Sequence, residues 1–187
     1  MTEEIQMYLD EAKENMVKAV SHVSDEFKKI RAGKANPNML DGLMVEYYGN
    51  NTPLNQVSSI TTPDARTVMI KPWEKKMLAE IEKAIMNSDL GLNPQNDGEI
   101  VRLNIPPLTE ERRKQLVKQA KNEAENGKVS VRNVRKDAND SIRKLTKEGV
   151  SEDMVKDGED SVQELTDKYT AQIDSLLSEK EKEIMTV

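Results

Sequence analysis

The chain has 187 residues, no cysteine, and 28 Lys and Arg against 34 Asp and Glu, for a net charge of −6. This length can bury one good core, or one core and a small second one. The lack of cysteine excludes a disulfide framework and a thiol nucleophile. No apolar run approaches the roughly 20 residues that span a bilayer, and the acidic N-terminus does not resemble a signal peptide. We therefore expect a cytoplasmic protein with no membrane contact.

The first 32 residues are predicted to form one long helix, because apolar residues recur every three or four positions. Those apolar positions are Ile5, Leu9, Ala12, Met16, Ala19, Val23, Phe27 and Ile30. Glu3 and Glu4 in the first turn suit the helix dipole. Gly33 is the predicted C-terminal cap, and Pro37 prevents the helix from resuming.

Residues 34–105 lose the helical period and are predicted to form a small inserted β/α/β domain. Alternating apolar residues and turn signals indicate a strand around Val45, a turn at Gly49-Asn50-Asn51, and strands over 56–61, 67–71 and 100–105. A helix is predicted over 74–87. Tyr47 is expected to point inward and Tyr48 to lie at a strand edge, with base stacking as the alternative for the pair.

The inserted domain is entered and left through two short segments, near residues 31–37 and 104–107. Two short parallel linkers permit a hinge. The candidate hinge residues are Gly33, Lys34, Asn104, Ile105 and Pro106.

Two more long helices follow. The second begins after Thr109 as N-cap and ends at Gly149, and the third opens at Ser151. The apolar seam of the second helix is Leu116, Ala120, Ala124, Gly127, Val131, Val134, Ala138, Ile142 and Leu145. That of the third is Val155, Val162, Leu165, Tyr169, Ile173, Leu176 and Ile184. Three such narrow seams predict an elongated three-helix bundle built from residues 1–32 and 106–187. Gly127 is expected to be a soft spot in the second helix.

A basic stripe runs along the second long helix at steps of three and four residues. We define the basic stripe as Lys114, Lys118, Lys121, Glu125, Lys128, Arg132 and Arg135. At about 1.5 Å per residue it is roughly 30 Å long. Residues 112–136 hold nine cations and two anions, a balance of +7, whereas residues 148–187 hold twelve anions and four cations, a balance of −8. A rigid row of cations on an acidic protein indicates a polyanionic partner, most simply folded RNA or DNA. The alternative is that the acidic segment pairs with the basic one.

The sequence contains no motif for catalysis. A phosphate-binding loop of the G-x-x-x-x-G-K-[ST] type is absent, and the one histidine, His22, is expected to be a partly buried structural residue. We therefore expect a protein that is not an enzyme and holds no metal. A DNA-binding helical protein, a helical RNA-binding protein and a coiled-coil chaperone stay open as alternatives.

Several strings resemble the bacterial ribosome recycling factor family, and together they cover essentially the whole chain. They are Leu40-Asp41-Gly42, Val45-Glu46-Tyr47-Tyr48-Gly49, Thr52-Pro53-Leu54, Lys83-Ala84-Ile85-Met86, Ser88-Asp89-Leu90-Gly91-Leu92-Asn93-Pro94, Pro106-Pro107-Leu108-Thr109-Glu110-Glu111-Arg112-Arg113-Lys114 and Val131-Arg132-Asn133-Val134-Arg135-Lys136-Asp137-Ala138-Asn139.

The resemblance implies an α+β protein, L-shaped and tRNA-sized, that binds the post-termination ribosome. With elongation factor G and GTP, such a factor splits the ribosome into subunits and releases mRNA and tRNA for a new round of translation. It would do so in the cytoplasm as a monomer, without a cofactor.

The resemblance also assigns residues to roles. Arg132 and Arg135 would be the main contacts to large-subunit rRNA. The wider rRNA-binding set is Lys118, Lys121, Lys128, Lys136, Arg112, Arg113 and Arg31, where the last three are RNA contacts or anchors at the tip of the bundle. Lys34 departs from the arginine that is common in the family, which weakens a bidentate phosphate grip there to a point charge.

Overall fold

The structure is a computed structural model that describes residues 2–186. The predicted bundle ends at residues 1 and 187 lie outside the described residues. The chain forms two compact units. One joins the chain up to Ala32 with the chain from Glu110 onward, and the other is Gly33–Thr109. The sequence prediction for the inserted domain is 34–105.

Helix α1 spans Glu3–Lys29, and its first turn is capped by Thr2, whose hydroxyl oxygen accepts the Ile5 N–H at 3.3 Å. The helix stops earlier than predicted, because Ile30 turns into extended backbone and becomes the C-cap. The side chain of Ile30 is only 3% exposed. The predicted cap at Gly33 is therefore wrong: the chain leaves the helix at Ile30, whose N–H is donated to the Phe27 carbonyl, before the glycine is reached. Gly33 does adopt a positive φ of 71°, but in the segment beyond the cap.

Helices α4, Glu110–Lys144, and α5, Glu152–Met185, are the other long elements of the bundle. Helix α4 begins where predicted and tightens into a 3₁₀ turn, Leu145–Glu148, before Gly149 ends it at φ 96°. Ser151 caps α5, and its hydroxyl accepts the Met154 N–H. The predicted seams are buried or half-buried throughout.

Two glycines let the bundle helices approach closely. A Cβ on Gly127 of α4 would overlap Cγ2 of Val23, and a Cβ on Gly158 of α5 would lie 2.9 Å from Cγ2 of Ile5. Gly127 is buried at this crossing. The prediction that Gly127 is a soft spot considered helix propensity alone. The structure adds a packing reason for this glycine, because Val23 of α1 leaves no room for a Cβ there.

The Gly33–Thr109 unit contains two antiparallel sheets and one main helix. Strands β1, Met44–Tyr47, and β2, Asn50–Pro53, form a hairpin, and a short helix α2, Leu54–Val57, follows. Four further strands are β3 Ser58–Asp64, β4 Thr67–Pro72, β5 Pro94–Asn96 and β6 Val101–Asn104. They form one sheet in the order β3-β4-β6-β5.

The core of this unit lies on one side of the four-stranded sheet. In the register of β4 and β6, Val68 pairs with Leu103 and Ile70 with Val101, and all four side chains are at most 1% exposed. Helix α3, Leu78–Met86, contributes the buried side chains of Leu78, Ile81 and Ile85 to the same core. The fold class is α+β, a three-helix bundle with a small β-sheet domain, as predicted.

Several details of the small unit differ from the prediction. The strand predicted over 56–61 begins only at Ser58, because Leu54–Val57 forms helix α2. The hairpin turn is Tyr48–Gly49, one residue earlier than expected, and both residues have positive φ. This is the backbone that the tightest two-residue hairpins require. The segment Asn50–Pro53 is strand β2, although Asn50 and Asn51 were predicted to lie in the turn, and Pro94–Asn96 is strand β5, for which no strand was predicted.

Candidate nucleic-acid interface

The basic stripe lies on α4 as predicted and faces away from the apolar seam. Each residue of a helix turns by about 100°, so the stripe lies about a third of a turn from the seam. Lys114, Lys118, Lys121, Glu125 and Arg132 are exposed, whereas Lys128 and Arg135 are half-buried. The stripe is therefore a continuous row on one side of a rigid helix.

One flank of the stripe contacts the acidic helix α5. Lys128 forms an ion pair with Asp174, and the ammonium of Lys121 lies 3.7 Å from a carboxylate oxygen of Glu181. Arg135 donates to the side-chain amide oxygen of Gln163 at 3.4 Å. The alternative in which acidic and basic segments pair is thus correct for this flank. A solvent-exposed pair such as that of Lys121 with Glu181 contributes only about 0–1 kcal/mol, so Lys121 can exchange this partner for another anion.

The other flank faces solvent, and Lys136, which lies about five helical turns beyond Lys118 on the same face, extends it past the end of the basic stripe. Among residues 2–186, Lys118 and Lys136 form no ion pair or hydrogen bond through their ammonium groups, and both are exposed. Arg132 pairs within its own helix, with its guanidinium 2.6 Å from Glu125. Lys114 similarly lies 3.3 Å from Glu110. These four cations are therefore held at the surface and are accessible to an external anion.

The remaining predicted RNA contacts differ from one another. Arg113 is half-buried and donates to the main-chain carbonyl of Met185 at 3.3 Å, which ties the start of α4 to the end of α5. Arg112 is exposed and donates to Gln115 at 3.1 Å. Arg31 is exposed just beyond the end of α1. Arg113 thus links two helix ends, whereas Arg31 and Arg112 are exposed.

The predicted hinge residues are also not alike. Asn104 is the last residue of β6, and Ile105 is buried, with its N–H donated to the Arg66 carbonyl at 2.8 Å. Lys34 and Pro106 are exposed. On the entry side, the Ala35 N–H is donated to the Ala65 carbonyl at 2.8 Å. The main chain is thus hydrogen-bonded into the small unit at Ala35 on the entry side and at Ile105 on the exit side.

A close contact joins the two connecting segments. A Cβ on Gly33 would lie 2.6 Å from Cγ of Leu108, inside normal contact distance. Only a glycine both fits against Leu108 and adopts the left-handed φ found here without strain.

The small unit has a hydrogen-bonded network around Glu74 at its surface. The hydroxyls of Tyr47 and Tyr48 donate to the two carboxylate oxygens at 2.9 and 3.0 Å, and the Lys76 ammonium lies 3.0 Å away. Hydrogen bonds from Lys76 and then from both tyrosines lower the pKa of Glu74. The Glu74 carboxylate in turn raises the pKa of Tyr47. The tyrosines are thus engaged with Glu74, although Tyr48 is 66% exposed.

Sequence reasoning missed two surfaces and misplaced one residue. Trp73, the one tryptophan of the chain, follows the last residue of β4 and is 68% exposed. Its exposure was not predicted from the sequence. A row of uncharged polar residues, which the spacing alone could have revealed, runs beside the basic stripe on α4. His22 is exposed rather than partly buried.

Other kinds of site find no support in the described part of the chain. Residues 2–186 contain no group of three His, Asp or Glu side chains able to hold a metal ion. Nor does any helix within that range combine the length and apolar character that crossing a bilayer needs.

Comparison with known proteins identifies the family. The family model for the ribosome recycling factor matches residues 23–185. A ribosome-recycling factor from Amoebophilus asiaticus is 61% identical over 185 residues, which cover 99% of this chain and 100% of the relative. The chain belongs to the ribosome recycling factor family. Another member, from Caldicellulosiruptor bescii, is 56% identical over 188 residues and is covered in full, as is this chain.

Solved structures of ribosome recycling factors share the fold. A solution structure of the ribosome recycling factor is 40% identical, with a TM-score of 0.78 and full coverage of both chains. A second match, 44% identical with a TM-score of 0.63 over both full chains, is described as models for the T. thermophilus ribosome recycling factor and the E. coli elongation factor G bound to the E. coli post-termination complex. The function of this chain is accordingly ribosome recycling in translation.

Proposed function

We propose that the chain binds large-subunit rRNA of the post-termination ribosome through the solvent-facing flank of the basic stripe. Elongation factor G, using GTP, then acts on the Gly33–Thr109 unit and separates the subunits. The observation that carries the first part is the row of surface cations on α4, of which Lys118 and Lys136 have no partner within residues 2–186. Arg132 completes this contact, and Arg135, Lys121 and Lys128 extend it toward α5.

Phosphate binding suits the way these cations are held. The pairs of Arg132 with Glu125 and of Lys121 with Glu181 are solvent-exposed. Their loss costs little, while an arginine in bidentate contact with phosphate makes two charge-assisted hydrogen bonds. Backbone contacts of this kind fix position and orientation and need no base sequence.

The acidic helix α5 makes the two sides of the bundle different in charge. Its segment carries a balance of −8 over residues 148–187, and it lies against one flank of the stripe. Polyanionic rRNA is repelled from that side and attracted to the other. We therefore propose that α4 faces the RNA and α5 faces away from it.

Movement of the small unit is assigned to the segments on either side of the fixed main chain. Since Ala35 and Ile105 are hydrogen-bonded into the small unit, bending falls to residues 30–34 and 106–109. Of the five predicted hinge residues, Gly33, Lys34 and Pro106 lie in these segments, and Asn104 and Ile105 support them.

The chain itself acts as a cytoplasmic monomer without catalysis or cofactor, and the GTP chemistry is that of elongation factor G.

The test is binding to vacant 70S ribosomes as a function of salt. Lys118→Ala/Lys136→Ala should weaken binding and flatten the slope of log affinity against log salt by about two units, one for each phosphate contact. The matched control is Lys156→Ala/Lys182→Ala, which removes the same charge from exposed positions of α5. Equal effects of the two double variants would refute the assignment of the RNA-binding face to α4.

A further inference from the structure

The solvent-facing half of α4 carries a second row of residues parallel to the basic stripe. We define the neutral strip as Gln115, Gln119, Asn122, Asn126, Ser130 and Asn133, at steps of four, three, four, four and three. All six side chains are exposed. At 3.6 residues per turn, the apolar seam, the basic stripe and the neutral strip each occupy about a third of the helix circumference.

The strip lies on the α1 side of α4. Glu26 raises the pKa of Lys29 of α1 most strongly. Glu123, the residue after Asn122, is close enough to Lys29 to raise that pKa further. On a helix with side chains about 10–12 Å across, the neutral strip and the basic stripe run roughly 10 Å apart. The strip extends for about 27 Å.

The composition of the strip is unusual for an exposed helix face. One third of the chain is charged, yet these six surface positions carry no charge. Asn and Ser are among the poorer helix formers, and Glu or Lys would fill solvent-facing positions of a long helix at no packing cost. Four of the six residues are therefore not those that helix stability favours, and none of the six carries the charge that solubility favours.

The polar groups of the strip are also largely unused within the protein. The side-chain oxygen of Gln115 accepts a hydrogen bond from Arg112, and the Ser130 hydroxyl donates to the main-chain carbonyl of Asn126. Within residues 2–186, the side-chain amides of Gln119, Asn122 and Asn133 make no hydrogen bond. Donors and acceptors thus point outward beside a row of cations.

We infer that the neutral strip binds the sugar edge of a double-helical segment of rRNA whose phosphates are held by the basic stripe. The inference rests on the proposed function and deepens it. The minor groove of A-form RNA is wide and shallow and displays 2′-hydroxyls, which both donate and accept hydrogen bonds, as amides do. A carboxylate in the strip would repel the phosphates, and an ammonium there would compete for them.

The strip variant is Gln119→Ala/Asn122→Ala/Asn126→Ala, which favours the helix and leaves every cation in place. The matched control is Gln172→Ala/Ser178→Ala, at exposed neutral positions of α5. The stripe variant is Lys118→Ala/Lys136→Ala. All are measured on 70S ribosomes over a salt series, and on one hairpin sequence made as RNA, as 2′-O-methyl RNA and as DNA.

The strip variant should bind ribosomes about 5- to 50-fold more weakly, with the salt slope of the parent. Its preference for the RNA hairpin over the 2′-O-methyl and DNA forms should fall toward one. The stripe variant should lose salt slope and keep that preference. Parental ribosome affinity in the strip variant would overturn the inference. So would weaker ribosome binding with an unchanged hairpin preference, which would assign the strip to a ribosomal protein. A parent with no salt slope would instead refute the proposed function.

Discussion

Substitution of Gly127 by alanine tests whether packing or helix propensity governs the middle of α4. A new Cβ overlaps Cγ2 of Val23 and lies 3.3 Å from Cδ1 of Ile173. Alanine gains about 1 kcal/mol of helix propensity over glycine, whereas overpacking costs about 1–3 kcal/mol. The cost falls in the upper part of this range, because Val23 is β-branched and 1% exposed and has little freedom to rotate. The net loss should be about 1–2 kcal/mol, a fall in Tm of roughly 2–8 °C.

The assay is urea unfolding followed by helical circular dichroism, in a double-mutant cycle with Val23→Ala. Val23→Ala alone leaves a cavity and destabilises the bundle. In the double variant the new methyl occupies the space that Val23 vacates, so the combined loss should be clearly smaller than the sum of the two. A Gly127→Ala variant about 1 kcal/mol more stable than the parent would refute the packing argument. So would strict additivity in the cycle.

Three further changes have defined outcomes. Hydrogen bonds, first from Lys76, lower the pKa of Glu74 below its usual 4.5, so its carboxylate adds stability above about pH 4.5 that is lost as the pH falls through the lowered pKa. Glu74→Gln should therefore destabilise the protein at neutral pH and less so in acid, as thermal melts over pH 3–7 would show. Lys180 is 8% exposed, so Lys180→Met, which keeps its buried stem, should change unfolding free energy by under about 1 kcal/mol, whereas Lys180→Ala should cost more. Gly33→Ala should leave ribosome binding intact and slow subunit splitting.

The long helices were predictable because a strong 3.6-residue period leaves few alternatives. The errors come from contacts between elements. The cap at Gly33 was wrong because the chain turns to extended backbone at Ile30 while the Ile30 side chain stays in the core. Helix propensity describes an isolated helix and says nothing of packing at Gly127. A Cβ is excluded at Gly127 by Val23, which lies more than 100 residues away in the chain.

The small unit was less predictable, because its edge strands have unfavourable composition. Asn50–Pro53 and Pro94–Asn96 contain the residues that mark turns, and only pairing with a neighbour makes them strands. Pro94 is the first residue of its strand at the edge of the sheet, where a missing N–H is tolerated.

The candidate interface was predictable along one helix and not between helices. The spacing of the basic stripe follows from α4 alone. Which cations pair with α5 depends on the offset between two helices, so the contacts of Lys121 and Lys128 were beyond sequence reasoning. The neutral strip, in contrast, has the same periodicity as the stripe and was visible in the sequence.

Gly33 offers the sharpest separation of binding from splitting. The Cβ of an alanine there would lie 2.6 Å from Cγ of Leu108, on the other connecting segment. The alanine must also adopt a φ of 71°. The left-handed backbone alone costs an alanine about 1–2 kcal/mol, so the two segments must shift. Gly42→Ala is the matched control, since it has a φ of 80° and open space around it.

Because α4 is untouched, Gly33→Ala should bind vacant ribosomes within about twofold of the parent. Light scattering of post-termination complexes with elongation factor G and GTP should show slower splitting for Gly33→Ala than for Gly42→Ala. Adding Leu108→Ala to Gly33→Ala removes the crowding and should restore part of the rate, because only the backbone cost then remains. Parental splitting by Gly33→Ala would mean that the path of the connecting segments does not limit how the small unit is driven. Loss of binding together with splitting would mean that binding itself depends on these segments.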